Sequence, residues 1–231
     1  MRTQQQIDKI KQGQGDPFSI PDIPTEGLLD YYFANQDSVI EKNTGPRVLK
    51  VDPSLEIFSN LLLALKSRVD NCEIRYMHYF DVTDPHIIHN DDEFEYPNCY
   101  KAFTIPLKIY STTDDIKLVV FDQYYYGGPA KFVNGDDTSG WNVHYNTFLS
   151  TYSTVQNIKL YSTIQEDFKN NYLTHLKDSW LWGLSINKAL PWRVGDALCF
   201  DSLALHCSSD FKSKGIERKI GISIFTVGVD E

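Results

Sequence analysis

The chain has 231 residues, of which 42% are hydrophobic and 13% aromatic, enough for one domain with a substantial core. Its 22 Lys and Arg stand against 31 Asp and Glu, a net charge of −9 with no offsetting basic run; this argues against bulk nucleic acid as a partner, since neutralising phosphates takes clustered cations. No stretch is long and apolar enough to span a membrane, residues 1–24 lack the apolar core of a signal peptide, and the four cysteines have no C-x-x-C spacing, so free thiols in the cytoplasm are expected.

Residues 1–45 are polar, with Gly, Pro and Asn punctuation. They read as a partly irregular N-terminal arm, with Leu28-Leu29 and Tyr31-Tyr32-Phe33 docking on a body formed by residues 46–231. Asp52-Pro53 reads as a helix start, with Asp as N-cap and Pro at the first helical position. Leu55, Phe58, Leu62, Leu65 and Val69 then recur at three- and four-residue steps, and Leu61 and Leu63 widen the stripe. Such a helix is expected to lie across a sheet.

From Cys72 the texture changes to short β-rich runs: CEIRYMHYF, KAFTIPLKIY, KLVVFDQYYY, WRVGDALCF, SLALHCS and RKIGISIFTV, separated by turn residues. The pattern predicts a mainly β domain with flanking helices, a sandwich or jelly roll. The stretch from about residue 134 to 190 reads as an insertion expected to lie over the mouth of the barrel. It carries a predicted helix from Gln165 to Asp178 with Phe168, Tyr172, Leu173 and Leu176 on one face. Tyr124-Tyr125-Tyr126, Trp141, Trp180 and Trp182 can line a pocket or fill a core.

His89-Asn90-Asp91 is the first chemical motif. Residues two apart on an extended strand point the same way, as two ligands on one metal must. His86 offers a competing His-x-x-His, but Pro85 and Ile87-Ile88 oppose the helix that this spacing needs. Asp92, Glu93 and Glu95 read as a solvated loop. His206 is a polar residue in an apolar run, upstream of the Arg218-Lys219 pair, whereas His78, His144 and His175 read as structural. Two imidazoles and a carboxylate on one face of a metal leave its other positions open, the arrangement of non-haem Fe(II) oxygenases.

The layout H-x-D, then GDALCFDSLALHCS, then a cation on the closing strand resembles the 2-oxoglutarate/Fe(II)-dependent dioxygenase superfamily over roughly residues 72–229. The resemblance implies a double-stranded β-helix, with His89, Asp91 and His206 as iron ligands and 2-oxoglutarate as cosubstrate. It implies hydroxylation of a C–H bond with release of succinate and CO2, and leaves the substrate open between small molecules and peptidyl side chains. The chain departs from the prolyl hydroxylase pattern at His86, where that pattern has Tyr, and lacks the Arg-x-Asn-x-Thr-x-Arg strand of nucleic-acid demethylases. An inactive jelly-roll binding module and a cupin-like metal enzyme are the alternatives; the second lacks its His-x-His spacing.

Only one of Arg218 and Lys219 can point into a barrel. Arg218 shares a face with Ile220, Ile222 and Ile224, while Lys219 shares one with Gly221 and Ser223, small enough to leave room for a ligand. Lys219 is thereby favoured, with Ser223 beside it, as anchor of the cosubstrate's distal carboxylate. Arg218 is the second candidate, and the strand bearing Arg75 and Tyr79 the third.

Overall fold

The computed structural model describes residues 2–40, 46–92, 98–111, 113–126, 155–156 and 163–229. In chain order these form α1 (Gln4–Gln12), β1 (Phe18–Ile20), α2 (Leu28–Ala34), β2 (Arg47–Val51), α3 (Ser59–Lys66), β3 (Cys72–Val82), β4 (Cys99–Tyr110) and β5 (Lys117–Tyr125). There follow β6 (Val155–Gln156), α4 (Glu166–Tyr172), α5 (Asp178–Leu181), β7 (Ile186–Pro191), β8 (Ala197–Asp201), β9 (Ala204–Ser208) and β10 (Arg218–Gly228).

The six-stranded major sheet runs β1-β8-β4-β10-β3-β2. In the minor sheet β5 pairs with β6, β7 and β9, and a bridge between His89 and His206 adds the segment around His89 beyond β9. From β3 onward the chain visits the major sheet, the minor (His89), the major (β4), the minor (β5, β6 and β7), the major (β8), the minor (β9) and the major (β10) in turn. That antiparallel winding is a double-stranded β-helix, a jelly roll.

Alternation along the strands sorts the apolar residues into three clusters. Leu118 and Val120 of β5, Leu198 and Phe200 of β8, and Phe225 of β10 meet between the sheets. Ile220, Ile222 and Ile224 point away from them, under Leu28 and Tyr32 of α2 and Leu61 and Leu65 of α3. Val119, Phe121, Leu205 and Cys207 face outward on the minor sheet, beneath Leu173, Leu176, Trp180 and Leu181. Of the predicted insertion, residues 163–185 cover the outer face of the minor sheet and not the barrel's mouth as expected, because Leu173, Leu176, Trp180 and Leu181 pack on its outward apolar residues; β6 pairs with β5, and β7 rejoins the barrel from Ile186. Residues 127–154 and 157–162, with Trp141 and His144, lie outside the described residues.

Two predicted helices differ in extent. Asp52 does cap a turn, its Oδ1 accepting from Ser54 N at 2.9 Å, but α3 starts only at Ser59. Its buried face is Leu61 and Leu65, following Phe58, while Leu63 is 70% exposed. The helix expected over 165–178 stops at Tyr172, because the Tyr172 carbonyl accepts Asp210 N at 2.6 Å instead of continuing the helical ladder.

The arm is built as well. Its β1 pairs with β8 at one edge of the major sheet, and α2 buries Leu28 and Tyr32 against the outer face. No helix among the described residues is long and apolar enough to cross a membrane.

Candidate metal centre

His89 and His206 exchange both backbone hydrogen bonds, His89 N to His206 O at 3.0 Å and His206 N to His89 O at 2.9 Å. Such a pair places the two side chains adjacent on one face. Asp91, two residues along, shares that face and is tied down by Asp91 N donating to Ser202 O at 2.8 Å. His89 Nε2 lies 3.7 Å from Asp91 Oδ1, and His206 Nε2 lies 3.5 Å from Asp91 Oδ2. One donor atom from each residue falls within 4.8 Å of the others. Donors that bind one ion at about 2.1 Å stand about 3–3.5 Å apart, so little adjustment is needed.

The tautomers fit a metal too. His89 Nδ1 sits 2.8 Å from Ile87 O and His206 Nδ1 sits 3.0 Å from Ala204 O. A carbonyl only accepts, so each Nδ1 carries a proton, and each Nε2, beside the Asp91 carboxylate, is the nitrogen that could ligate a metal. Phe200 backs the His206 ring at 4.5 Å, and His86 stacks on His89 with centroids 3.9 Å apart. His86 thus packs beside the cluster, while the convergent donor set is His89, Asp91 and His206.

One side-chain repeat along the same face of β9 from His206 is Ser208, a rise of about 6.7 Å. Lys219 Nζ donates to Ser208 Oγ at 2.8 Å and lies over the rings of Trp192 at 4.7 Å and Phe211 at 4.8 Å. The lysine is almost fully buried and, among the described residues, has no carboxylate partner. Burial lowers its pKa from 10.5 to about 7. Ser208, Trp192 and Phe211 carried no signal in the sequence beyond their nearness to His206 and to the Gly195-Asp196 turn.

The other anchor candidates lie elsewhere. Arg218 points outward, its Nε and Nη2 donating to Asp81 at 2.7 and 2.6 Å, and is committed to that carboxylate. Tyr79 is buried on the same outer face, its hydroxyl donating to Leu28 O at 2.9 Å among Tyr31, Tyr32 and Phe58. Arg75 is half exposed and pairs with Glu73 at 3.1 Å. Strand alternation excludes these three from the interior.

Ser223 keeps the inner face, in register with His78 and Thr104. Gly221, however, leaves no room for a ligand. A Cβ there would stand 2.5 Å from the Phe80 ring and 2.8 Å from Ile105 O, so the missing side chain is what lets Phe80 pack.

Of the aromatic residues considered for a pocket, Tyr124 and Tyr126 join the interior cluster. Tyr125 and Trp180 belong to the outer one, and Trp182 is more than a third exposed. Asp92 is the other correction: it is 1% exposed and held by Arg2, so it is no part of a solvated loop. Glu93 and Glu95 lie outside the described residues.

No family model and no curated protein matches this sequence. Among solved structures, the chain is similar to the non-haem α-ketoglutarate-dependent carbocyclase SnoK from nogalamycin biosynthesis, at 10% identity and a TM-score of 0.49, covering 99% of this chain and 85% of that one. HygX from Streptomyces hygroscopicus, with nickel and 2-oxoglutarate bound, matches at 11% identity and a TM-score of 0.48, covering 99% and 88%. A Pseudomonas putida prolyl-4-hydroxylase matches at 9% identity and a TM-score of 0.45, covering 97% of both chains.

Proposed function

We propose that this protein is an Fe(II)- and 2-oxoglutarate-dependent dioxygenase that hydroxylates a C–H bond of a small-molecule or peptidyl substrate, releasing succinate and CO2. The observation that carries the reading is one continuous inner face bearing His89, Asp91 and His206 and, one repeat away, a buried lysine with no carboxylate partner among the described residues. Two imidazole nitrogens and one carboxylate on one side of an ion would leave its other positions open, a donor set that suits Fe(II). When bound, the iron and cosubstrate supply the oxidising chemistry.

The chain's own residues bind and orient. The Ile87 and Ala204 carbonyls fix the two imidazoles with Nε2 toward the metal position. Lys219 meets the distal carboxylate of a five-carbon diacid whose other end reaches the metal, a span matching the repeat from His206 to Ser208. Ser208 Oγ, accepting from Lys219, steers the ammonium. Trp192 and Phe211 keep water from that end, which strengthens the ion pair.

The test combines binding and turnover. The parent protein is expected to bind Mn(II) and to form succinate from 2-oxoglutarate with Fe(II) and O2 even without substrate, whereas His89→Ala and His206→Ala should lose metal affinity by more than the roughly ten- to hundredfold that loss of an outer-shell partner costs. Parent-like Mn(II) affinity in both variants sinks the metal assignment. Metal binding with no succinate under any condition sinks the oxygenase.

A further inference from the structure

The segment His89 to Asp92 alternates. His89 and Asp91 face the metal position, while Asn90 and Asp92 face the other way, into protein. Asn90 Nδ2 donates to Tyr125 O at 3.2 Å. Asp92 is gripped by Arg2 in a two-pronged ion pair, Nη1 to Oδ2 at 2.5 Å and Nη2 to Oδ1 at 2.6 Å. Both side chains are buried, at 6% and 1% exposure. Arg2 also donates to Cys99 Sγ at 3.2 Å and to Tyr126 O at 3.5 Å. A cation 90 residues away in sequence thus braces the residue next to a metal ligand.

The same arginine begins a second structure. Thr3 and Gln6 cap α1 reciprocally, and Ile7 and Ile10, on one face of that helix, pack against the cluster between the sheets. After the helix, Lys101 Nζ donates to Gly13 O at 2.9 Å, and Gly15 N to Asp201 Oδ2 at 3.1 Å. Gln14 donates to the Tyr126 hydroxyl. A Cβ on Gly13 would stand 2.5 Å from the Tyr100 ring, so the chain lies flat on the barrel there. The helix hangs between two polar latches, Arg2 before it and Gly13–Gly15 after it. No residue of α1 is fully buried, so its apolar face is only partly covered.

We propose that Arg2 is a positioning residue: its clasp on Asp92 sets the segment that turns His89 and Asp91 toward the metal and, with the same contact, holds residues 2–15 across the metal end of the barrel as a wall of the reaction chamber. The inference rests on the metal reading above only for its first half. Ile7 and Ile10 of α1 pack on the cluster that includes Tyr124 and Tyr126, Lys11 Nζ lies 5.8 Å from the centre of the Tyr126 ring, and Tyr124 in turn donates to Asp201, the carboxylate that Lys101 and Gly15 share. The wall and the segment that carries His89 and Asp91 are joined through Arg2, so loosening that side chain loosens both.

The experiment uses the full chain, with Mn(II) as probe and trypsin acting at Lys9 and Lys11. Arg2→Ala and Asp92→Asn should each weaken Mn(II) binding about tenfold, the scale of outer-shell losses, and speed cleavage within residues 2–15. The double variant should be little worse than Arg2→Ala, because each single change already breaks the Arg2–Asp92 ion pair. Arg2→Lys should fall between, since an ammonium keeps the charge but not the two-pronged geometry. Asp92→Asn changes no volume and serves should Arg2→Ala fold poorly. His206→Ala should lose Mn(II) and keep the arm protected. Parent-like Mn(II) affinity in Arg2→Ala, or an arm as resistant as the parent's, overturns the proposal. A parent that binds no Mn(II) instead defeats the metal reading, and trypsin protection then decides the clasp alone.

Discussion

The two faces of β10 carry adjacent cations with opposite fates. On the outer face Arg218 meets Asp81 with both prongs, lies 5.0 Å from the centre of the Tyr110 ring, and stands in line with Ile220, Ile222 and Ile224 packed under α2 and α3. On the inner face Lys219 has a hydroxyl and two aromatic rings for company, and among the described residues no carboxylate. The outer charge is matched within the protein; the inner one has no carboxylate partner among the described residues, and the proposed function assigns it the cosubstrate's distal carboxylate. A buried, unmatched charge costs stability, and a fold keeps one where a ligand offsets that cost. The contrast separates residues that hold this barrel together from residues that use it.

The largest expected effect comes from breaking the matched side. Arg218→Ala strips Asp81 of its main partner and leaves a buried carboxylate with Tyr32, at 2.7 Å, and the longer contact from Arg47. A loss of about 3 kcal/mol is expected, read as a lower melting temperature, with 2-oxoglutarate affinity per folded molecule unchanged. Burial opposes the charge on Asp81, but hydrogen bonds from Arg218 and Tyr32 outweigh it, so its pKa is depressed. Its stabilisation is present above the ordinary aspartate value of 3.8 and fades as pH falls through the lower folded value. Acid unfolding should accordingly begin at higher pH in the variant. Weakened 2-oxoglutarate binding, with Lys219→Ala silent, would mean that the faces have been assigned the wrong way round.

Lys219→Met should act in the reverse sense. Removing an unmatched buried charge in favour of an apolar chain of similar length is expected to stabilise the empty protein by about 1–3 kcal/mol near neutral pH. The same change should weaken 2-oxoglutarate binding by roughly ten- to a hundredfold, the 1.5–3 kcal/mol of one charge-assisted bond, while Mn(II) binding stays. A variant that loses stability as well as affinity would show that the lysine is a structural residue like its neighbour.

The choice between the faces was legible in RKIGISIFTV, because side chains alternate and three isoleucines need a roof. The pairing of His89 with Asp91 was legible for the same reason. The clasp between Arg2 and Asp92 was not, since no local pattern links residues 90 apart, and a run of acidic residues reads as solvated until its partner is seen. Strands β3, β4, β5, β8, β9 and β10 announced themselves by β-branched and aromatic runs between turns. By contrast β1, β2 and β7 are short strands at sheet edges, where one neighbour is missing and the apolar signal thins. The extent of α4 depended on Asp210 reaching the Tyr172 carbonyl, a contact made only in the folded chain.

The smallest expected effect is also the most specific to Lys219. Burial lowers its pKa to about 7 against 10.5 for an ordinary lysine. Between those values the unfolded chain binds the proton more tightly than the folded one, so the empty protein gains stability as pH rises from 7 to 10.5. Ligand binding runs the other way. A carboxylate wants the ammonium, and above pH 7 the empty site must first take up a proton. Affinity for 2-oxoglutarate, measured with Mn(II) in place, should be flat just below pH 7 and fall by up to about tenfold per unit above it. Calorimetry at pH 8 in buffers of different ionisation enthalpy should show uptake of close to one proton. Lys219→Arg should flatten the profile, because a guanidinium stays charged throughout. An affinity constant from pH 7 to 9 in the parent would mean that Lys219 is already charged without ligand, and that the inner face holds an anion of its own.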